Sequence, residues 1–520
     1  MRPVQRPRRW PGLRQRLSPE RPVDRRSRRR SGAARPGRRR GSGVQHEILR
    51  SVSQRDMSMS IQPTVTIDPE LCTGCGRCVE TCPVQAIAGS RGKAHEIEAA
   101  ACVSCGRCVA TCAAFDSIFD AFPTPRPVRL KRRGLPGSLK EPLFAAHDPS
   151  RIEAVRKAFA TPKRMTVMQV DTMACVALAE DFGLPPGSLS PLKIASAARQ
   201  LGFDRVYRTS FPAGLAVLET AHEMAARLAN GGNLPVINSS CPAVVAFLER
   251  RYPELLHYLS TVKSPHQIAG ALYNSYLADA ANLAPANIHK VSVVACLSHK
   301  AEAERPEMMT CGCPDIDTVL TARELAILIK DAGIDVPLLG DGEFDNDFPE
   351  IEGLDTLYCA PGDVSRAVLG AGRWFLGQGE GVGAPAGETV EVLDEATRLT
   401  RLAYPGGTLQ ALTVAGFDKA VPYLEAIKAG RNAFQFLEIA SCPQGCASGA
   451  GLPKVLLETE KPARYRARIE NLPPAAPEAW SRLPGHPSIV ALYGGYFGKA
   501  IGDKSNRRLH TQYAEPAAAP

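Results

Sequence analysis

Two runs of cysteine at one spacing constrain this chain more than anything else in it. Cys72-Thr-Gly-Cys75-Gly-Arg-Cys78-Val-Glu-Thr-Cys82-Pro83 is followed about thirty residues later by Cys102-Val-Ser-Cys105-Gly-Arg-Cys108-Val-Ala-Thr-Cys112. Each run is Cys-x2-Cys-x2-Cys-x3-Cys, the spacing of an iron–sulfur site. The runs hold half of the 16 cysteines of a 520-residue chain. A disulfide scaffold is therefore not what these cysteines describe, and metal spacing points to a reducing, cytoplasmic compartment. Zinc ribbons are the alternative, which the Cys-x3-Cys step and the duplication disfavour.

The repeat resembles a bacterial ferredoxin module, which implies a small α+β domain, assigned to residues 59–121, with two [4Fe–4S] clusters. In that module the fourth cysteine of each run serves the other cluster. The resemblance thus implies one cube on Cys72, Cys75, Cys78 and Cys112, and a second on Cys102, Cys105, Cys108 and Cys82. Ala113 stands where a proline usually follows the second run, a change that touches a turn and no ligand.

The overall charge of +10 belongs to one end of the chain. Residues 1–42 contain sixteen Arg against Glu20 and Asp24, so taking their +14 from +10 leaves −4 for residues 43–520. With its many Pro and Gly, the segment 1–58 cannot bury a core and is expected to be disordered. Nucleic-acid binding and an organelle transit peptide are lesser readings of it; the favoured one is that translation begins at Met57 or Met59. It lacks the apolar stretch of a secretory signal. No run of 18 apolar residues suggests a membrane span. The length suggests three or four domains.

Three further segments end alike. Asn432 to Ile439 reads as a buried strand and leads into Cys442-Pro-Gln-Gly-Cys446. Leu234 to Ser240 is an apolar strand running into Cys241-Pro242, followed by a helix from Val244 to Tyr252. Lys290 to Ala295 is a third strand, with Cys296 at its end. Ligands gather at the carboxyl ends of strands in open α/β sheets. Pro443 turns the third loop, and Gly445, Gly449 and Gly451 are read as leaving room for a bulky, sulfur-bound group. Any one of these cysteines alone is more often a small buried apolar residue; four at three strand ends suggest a cluster.

Between 165 and 340 strands and helices alternate. Val167–Val170 and Arg205–Thr209 read as strands, and Ala177–Phe182 and Pro191–Leu201 as helices stopped by Gly183 and Gly202. Thr318–Thr321 is a strand running into a capping box, Thr321 with Glu324, that opens a helix. The alternation predicts parallel α/β sheets. Residues 122–150, with Phe122-Pro-Thr-Pro-Arg-Pro and Lys131-Arg-Arg-Gly, read as a linker.

With three cysteine loops behind a ferredoxin-like module, the chain from about residue 60 resembles the iron-only ([FeFe]) hydrogenases. Asn238-Ser-Ser-Cys241-Pro is similar to the family's first signature, Val294-Ala-Cys296-Leu-Ser-His-Lys300-Ala-Glu302 to the second, and Glu438 to Pro453 to the third. Leu492-Tyr through Gly498-Lys, Lys504-Ser and Leu509-His-Thr511 resemble the hydrogenase small subunit, fused here over 461–520. The resemblance implies an H-cluster within residues 151–460, between two lobes of parallel sheet flanked by helices. Cys241, Cys296, Cys442 and Cys446 would hold its [4Fe–4S] cube, and Cys446 would bridge to a two-iron unit carrying CO, cyanide and a dithiolate. It further implies H2 and protons as reactants, a ferredoxin or similar electron carrier as partner, and maturation proteins that build the cofactor.

The chain departs from that pattern where protons move. Ser240 stands where active members have a second cysteine, and a hydroxyl is a far weaker acid than a thiol of pKa about 8.5. Glu223 and Ser260 match relay positions, while the outer glutamate position is Thr220. His299 replaces a lysine that contacts cyanide, with Lys300 adjacent and expected to reach the site by a small shift; Glu302 completes that motif. Ala440 and Val294 replace methionines, Asp171 and Thr172 an Ala-Pro pair, and His266 a glutamine. Asp171 is read either as a buried carboxyl able to deliver protons or as a paired one.

The expected reaction is reversible reduction of protons to H2 with slow turnover. The alternatives are an H2 sensor, which would need a signalling partner because no sensory domain follows, and an iron–sulfur scaffold that keeps the cube and lacks the two-iron unit. Cys175, Cys311, Cys313 and Cys359 are read as structural or incidental.

Overall fold

The computed structural model describes residues 63–113, 115–116, 143–348, 351, 353–354, 356–377, 387–474, 476–500 and 502–513. The arginine-rich segment and most of the expected linker lie outside the described residues.

Residues 63–113 form two short helices, Arg77–Thr81 and Arg107–Thr111, each opened by a glycine with positive φ, Gly76 and Gly106. The last three cysteines of each run therefore sit on or beside one helical turn. Strands Ile87–Ala88 and Glu96–Ile97 pair between the runs. Thr66–Ile67 pairs antiparallel with Ala146–His147, which ties this part to the chain that follows.

The remainder is built on two sheets. In the first lie β1 (Met165–Val170), followed by helix α1 (Thr172–Leu178), and β2 (Arg205–Arg208), followed by α2 (Ser210–Ala229). Next in the chain come β3 (Val236–Ile237) and α3 (Pro242–Arg251), and after them β4 (Ile288–Val294) and β5 (Thr318–Thr321) with α4 (Ala322–Asp331). The first sheet has the order β5-β4-β1-β2 and is parallel throughout. β4 is buried at every residue, as a strand covered by helices on both faces must be. The capping box of Thr321 and Glu324 is formed, each side chain satisfying the other's backbone N–H.

The second sheet contains β6 (Glu388–Val392), β7 (Thr397–Tyr404), β8 (Gly407–Ala415) and β9 (Phe436–Ala440), in the order β6-β7-β8-β9-β3. Its three strands β8, β9 and β3 are parallel, while β6 to β8 form an antiparallel meander at one edge. Helix α5 (Asp363–Leu376) packs against α2 beside this sheet. The helix expected over Ala177–Phe182 begins earlier, at Thr172: Asp171 caps it by accepting the Ala174 N–H, and Ala179–Phe182 is its tight last turn, closed by Gly183 in the left-handed region.

The C-terminal residues run over both lobes. Arg468 is buried and reaches Glu180 and the carbonyls of Ala447 and Pro453. Farther along, Leu509 O accepts from Lys263 N (2.9 Å) and Thr511 N donates to Thr261 O (2.7 Å), so the last described segment lies along the strand-like turn after α3.

Candidate metal centre

The two sheets point their carboxyl ends at each other. β3 leads into Asn238-Ser-Ser-Cys241, β4 into Ala295-Cys296, β9 into Ser441-Cys442, and β1 into Asp171. Between these ends lies a cavity of about 120 Å³ lined by Cys241, Cys296, Cys442 and Cys446, and also by Ser240, Asp171, His266 and His299. At about 10–15 Å³ per water on this measure, it has room for a group of several heavy atoms.

The thiols face this space and one another. Burial pushes Cys296 up, and the neighbouring Cys442 and Cys241 add to it. Burial likewise raises Cys446, with Cys296, Cys359 and Asp171 contributing. Several thiolates in one dry cavity are stable only beside a compact positive charge. Yet among the described residues no three His, Cys, Asp or Glu side chains close on a point that a single ion could occupy. Thiols arranged around a volume suit a multi-iron cluster better than a mononuclear zinc.

The structure brings the thiols of the two cysteine runs into two neighbouring groups. Cys82, Cys102, Cys105 and Cys108 line one small cavity, with Val84, Val103 and Ile97 as apolar wall. Burial raises Cys78 to about 11, and the thiols that add to this are Cys72, Cys112 and Cys75. Cys108, pushed to about 12 chiefly by burial, feels Cys78 of the first set as well as Cys102 and Cys82. Cys105 in turn feels Cys442. The three groups of thiols thus form a series, with exposed Cys75 at the outer end and the large cavity at the inner end. Gly106 makes the last step short: a Cβ there would lie 2.6 Å from Ala450 Cβ and 2.9 Å from Leu297 Cδ1, so only a glycine lets the second run touch both cysteine loops.

The glycines of the third loop serve a further purpose beyond the one their positions suggest. A Cβ on Gly449 would stand 2.3 Å from Ala295 O, one on Gly451 3.0 Å from the same atom, and one on Gly445 2.7 Å from Pro361 Cδ. Gly449 and Gly451 let the loops carrying Cys296 and Cys446 meet backbone to backbone, Gly445 admits Pro361, and Gly445 and Gly449 also line the cavity.

Ser240 lines the cavity, donates from Oγ to Asn238 Oδ1 (3.0 Å), and is met by the Tyr358 phenol. Ser441 stands between Cys241 (3.5 Å) and Cys442 (3.8 Å). Glu223 accepts from Ser260 Oγ at 2.7 Å, outside the cavity. Thr220, expected at the outer end of that relay, is nearer the cavity end of α2, whose first residues follow the cavity-lining Thr209; Glu223, paired with Arg227, is the outer member. On the relay that the resemblance implies, Thr220 is therefore an inner position.

His299 is in the cavity wall and Lys300 is not. Lys300 Nζ is buried and binds Asp148 (2.6 Å) and Glu324 (2.8 Å), because successive residues of a helix point about 100° apart and two carboxylates hold it. It cannot take the place of His299 by a small shift. Glu302 also lies behind the wall, with Oε2 2.8 Å from His299 Nδ1 and accepting from Ser264 Oγ at 2.9 Å, so it orients the ring and does not line the cavity. His266, held at 2.7 Å to Ser292 Oγ, is kept well below the usual imidazole range by burial and by His299. Val294 packs on Ile316 and Val319 outside the cavity, whereas Ala440 lines it. Asp171 lines it too: its oxygens accept from Ala174 N and from Ala295 N (2.7 Å), tying β1 to β4, and burial nevertheless holds its carboxyl above the usual range.

Cys359, read from sequence as incidental, is buried in the cavity wall beside Cys446. Nothing in its local sequence announces this; only the return of the chain to the cavity after residue 348 brings it there. Cys175 belongs to the apolar core, and Cys311 is at the exposed tip of a hairpin in which Thr310 pairs with Cys313.

Glu438 lines the cavity as well, held at the N-terminus of α5 by Gly362 N (3.0 Å), Ser365 N (2.9 Å) and Ser365 Oγ (2.7 Å). Beside it, burial and then the Glu438 charge push Asp363 up to about 6 from 3.8. A carboxyl raised on folding binds more protons in the native state, so ionising it costs stability. Stability should fall by about 2–3 kcal/mol as pH rises from about 4 to above 6 through this group, and Asp363→Asn should remove that fall. The urea midpoint measured against pH for both proteins checks it; parallel curves would refute the coupling.

Comparison with known proteins agrees with this geometry. Residues 164–450, more than half of the chain, match the family described as "Iron only hydrogenase large subunit, C-terminal domain", and residues 65–88 match a "4Fe-4S binding domain". The chain is similar to the periplasmic [Fe] hydrogenase large subunit of Nitratidesulfovibrio vulgaris, 32% identical over 392 residues, covering 75% of this chain and 86% of that one. It is also similar to the cytosolic iron-sulfur assembly component 3 of Mus musculus, 27% identical over 388 residues, with 70% and 77% covered. Among solved structures, a variant of the [FeFe]-hydrogenase HydA1 from Chlamydomonas reinhardtii superposes with a TM-score of 0.62 at 28% identity, covering 71% of this chain and 100% of that one.

Proposed function

Since the chain belongs to the iron-only hydrogenase large-subunit family, we propose that it is a reversible, slow [FeFe]-hydrogenase fed by two [4Fe–4S] clusters. The observation that carries this is one cavity lined by Cys241, Cys296, Cys442 and Cys446, with Cys442 in electrostatic reach of Cys105. The donor set fits an H-cluster: Cys241, Cys296 and Cys442 would hold its cube, and Cys446 would hold the cube and the two-iron unit together. That group, when bound, supplies the open iron at which H2 is made or split.

The protein's part is placement and proton handling. Ile439, Ala440, Leu354, Met173 and Pro242 wall the cavity and limit water. Ser240, its hydroxyl held by Asn238 Oδ1, can relay a proton between the cavity and the Tyr358 phenol, though more slowly than a thiol would. His299, its Nδ1 engaged by Glu302, turns Nε2 elsewhere and offers a fixed polar contact where a flexible ammonium would otherwise stand. Electrons would pass from the set containing Cys75, through the set containing Cys105, to the cavity, and an external one-electron carrier would dock near exposed Cys75.

Likeness to an iron-sulfur assembly component favours one second reading, a scaffold whose cavity holds the cube alone. Infrared spectra of the anaerobically matured protein, with and without H2, separate the two. Metal-bound CO and cyanide bands that shift under H2 are the expected result. Their absence, with filled cubes and maturation machinery that works on a control hydrogenase, would leave the scaffold.

A further inference from the structure

Two carboxylates one turn apart on α2, Glu219 and Glu223, are joined by side chains from two other segments. Ser260 Oγ donates to Glu223 Oε2 at 2.7 Å, and Thr261 Oγ1 lies 3.4 Å from Glu223 Oε1. Thr261 Oγ1 is 2.8 Å from His510 Nδ1, and His510 Nε2 is 3.3 Å from Glu219 Oε2. Tyr493 O–H donates to Glu219 Oε1 and completes the chain. Tyr493 and His510 both come from the C-terminal segment, which the Thr511 to Thr261 backbone bond fixes in register.

The charges decide which end of this chain can exchange protons. Arg227 Nη2 covers Glu223 Oε1 at 2.6 Å on the more exposed side. A guanidinium holds its protons at any physiological pH, so Arg227 can fix Glu223 but cannot pass a proton to it. The Thr261 hydroxyl both donates and accepts, and imidazole is the side chain suited to exchange near neutrality. Side-chain exposure is 9% at His510, 10% at Glu223 beneath its Arg227 partner, and none at Glu219. A fully buried carboxylate against one ring nitrogen orients the ring.

We propose that His510 is the proton inlet of this chain, passing protons through Thr261 to the Glu223–Ser260 pair. The inference rests on the hydrogenase reading above. Once protonated from water, the ring, with Nε2–H toward Glu219 and Nδ1–H toward Thr261, gives its Nδ1 proton to Thr261 Oγ1 as Thr261 gives its own to Glu223 Oε1, and water then returns one proton to the ring. No electron moves, and one proton enters for each one delivered. Besides Glu219, the titratable groups around His510 are His222 of α2, itself held below the usual range by burial, Tyr493, and Glu223 with Arg227; Lys499 acts on His222.

The test uses the fully loaded protein, with Ser240→Cys and Thr220→Glu present so that neither inner step masks the outer one. Thr261→Val removes the hydroxyl and keeps the shape, Thr261→Ser keeps the hydroxyl, and His510→Ala leaves a space for free imidazole. Thr261→Val and His510→Ala should each lower H2 evolution about ten-fold or more, within the range for positioned proton transfer. Thr261→Ser should retain most of it, and added imidazole should restore His510→Ala. A readout independent of turnover is the response of the CO and cyanide bands to a pH jump, which should slow to a similar degree in the first two variants. Unchanged rates and unchanged band response in Thr261→Val, with the bands intact, would overturn the inlet and leave the hydrogenase reading standing. Absence of the bands in the parent protein would overturn both.

Discussion

Ser240→Cys should raise H2 evolution by about ten-fold or more in the fully loaded protein, assayed with a reduced one-electron carrier. Ser240 lines the thiol-walled cavity, and its hydroxyl has Asn238 Oδ1 and the Tyr358 phenol as partners. A hydroxyl can pass a proton only as a neutral relay, since losing one outright near pH 7 is far more costly than for a thiol of pKa about 8.5. Positioned general acids and bases contribute roughly 10²–10⁴-fold, so a mismatched group at this place should be the largest single loss in the chain. The substitution exchanges one second-row atom for a third-row atom at a partly buried position and should leave the fold intact. An unchanged rate, with equal iron content and equal infrared bands, would move the limiting step elsewhere, first to the inner position at Thr220.

Cys446→Ala should abolish the CO and cyanide bands and reduce H2 turnover below detection, while leaving both ferredoxin-type clusters in place. Cys446 lies among Cys296, Cys359, Asp171 and Cys241, farther along the third loop than Cys442. Loss of one ligand at a site whose other thiols are buried leaves the cluster open on the side that faces the cavity. Cys359 makes the experiment discriminating, because it lies in the same wall. Cys359→Ala should keep the bands. If Cys446→Ala kept them and Cys359→Ala lost them, the bridging position would belong to residue 359.

Much of this was legible without coordinates. The spacing of the two cysteine runs marked them as metal ligands, and the resemblance to a ferredoxin module implied how the two sets cross-pair. Strand ends were legible at Cys241, Cys296 and Cys442, since apolar runs bounded by Pro and Gly mark where a buried strand must stop. Helix Pro191–Leu201 with Gly202, and the Thr321–Glu324 box, were legible for the same local reason. The start of α1 was missed because its signal is one side chain, Asp171, which reads equally well as a site residue.

Sequence by itself determined which residues could bind iron and which strands would carry them. Those follow from covalent spacing, side-chain chemistry and hydrophobic period, all of them local, whereas the weight given to Ser240 came from the family resemblance. Tertiary structure alone decided that Lys300 is spent on Asp148 and Glu324 while His299 faces the cavity, and that Glu302 stands behind it. It also decided that the third loop's glycines admit Ala295 and Pro361, that Cys359 joins the wall, and that His510 reaches Thr261 across 249 positions of chain. Such contacts depend on which surfaces meet when two lobes and a C-terminal segment pack together. A side chain's direction is set by the partner that satisfies it, and that partner is distant in sequence.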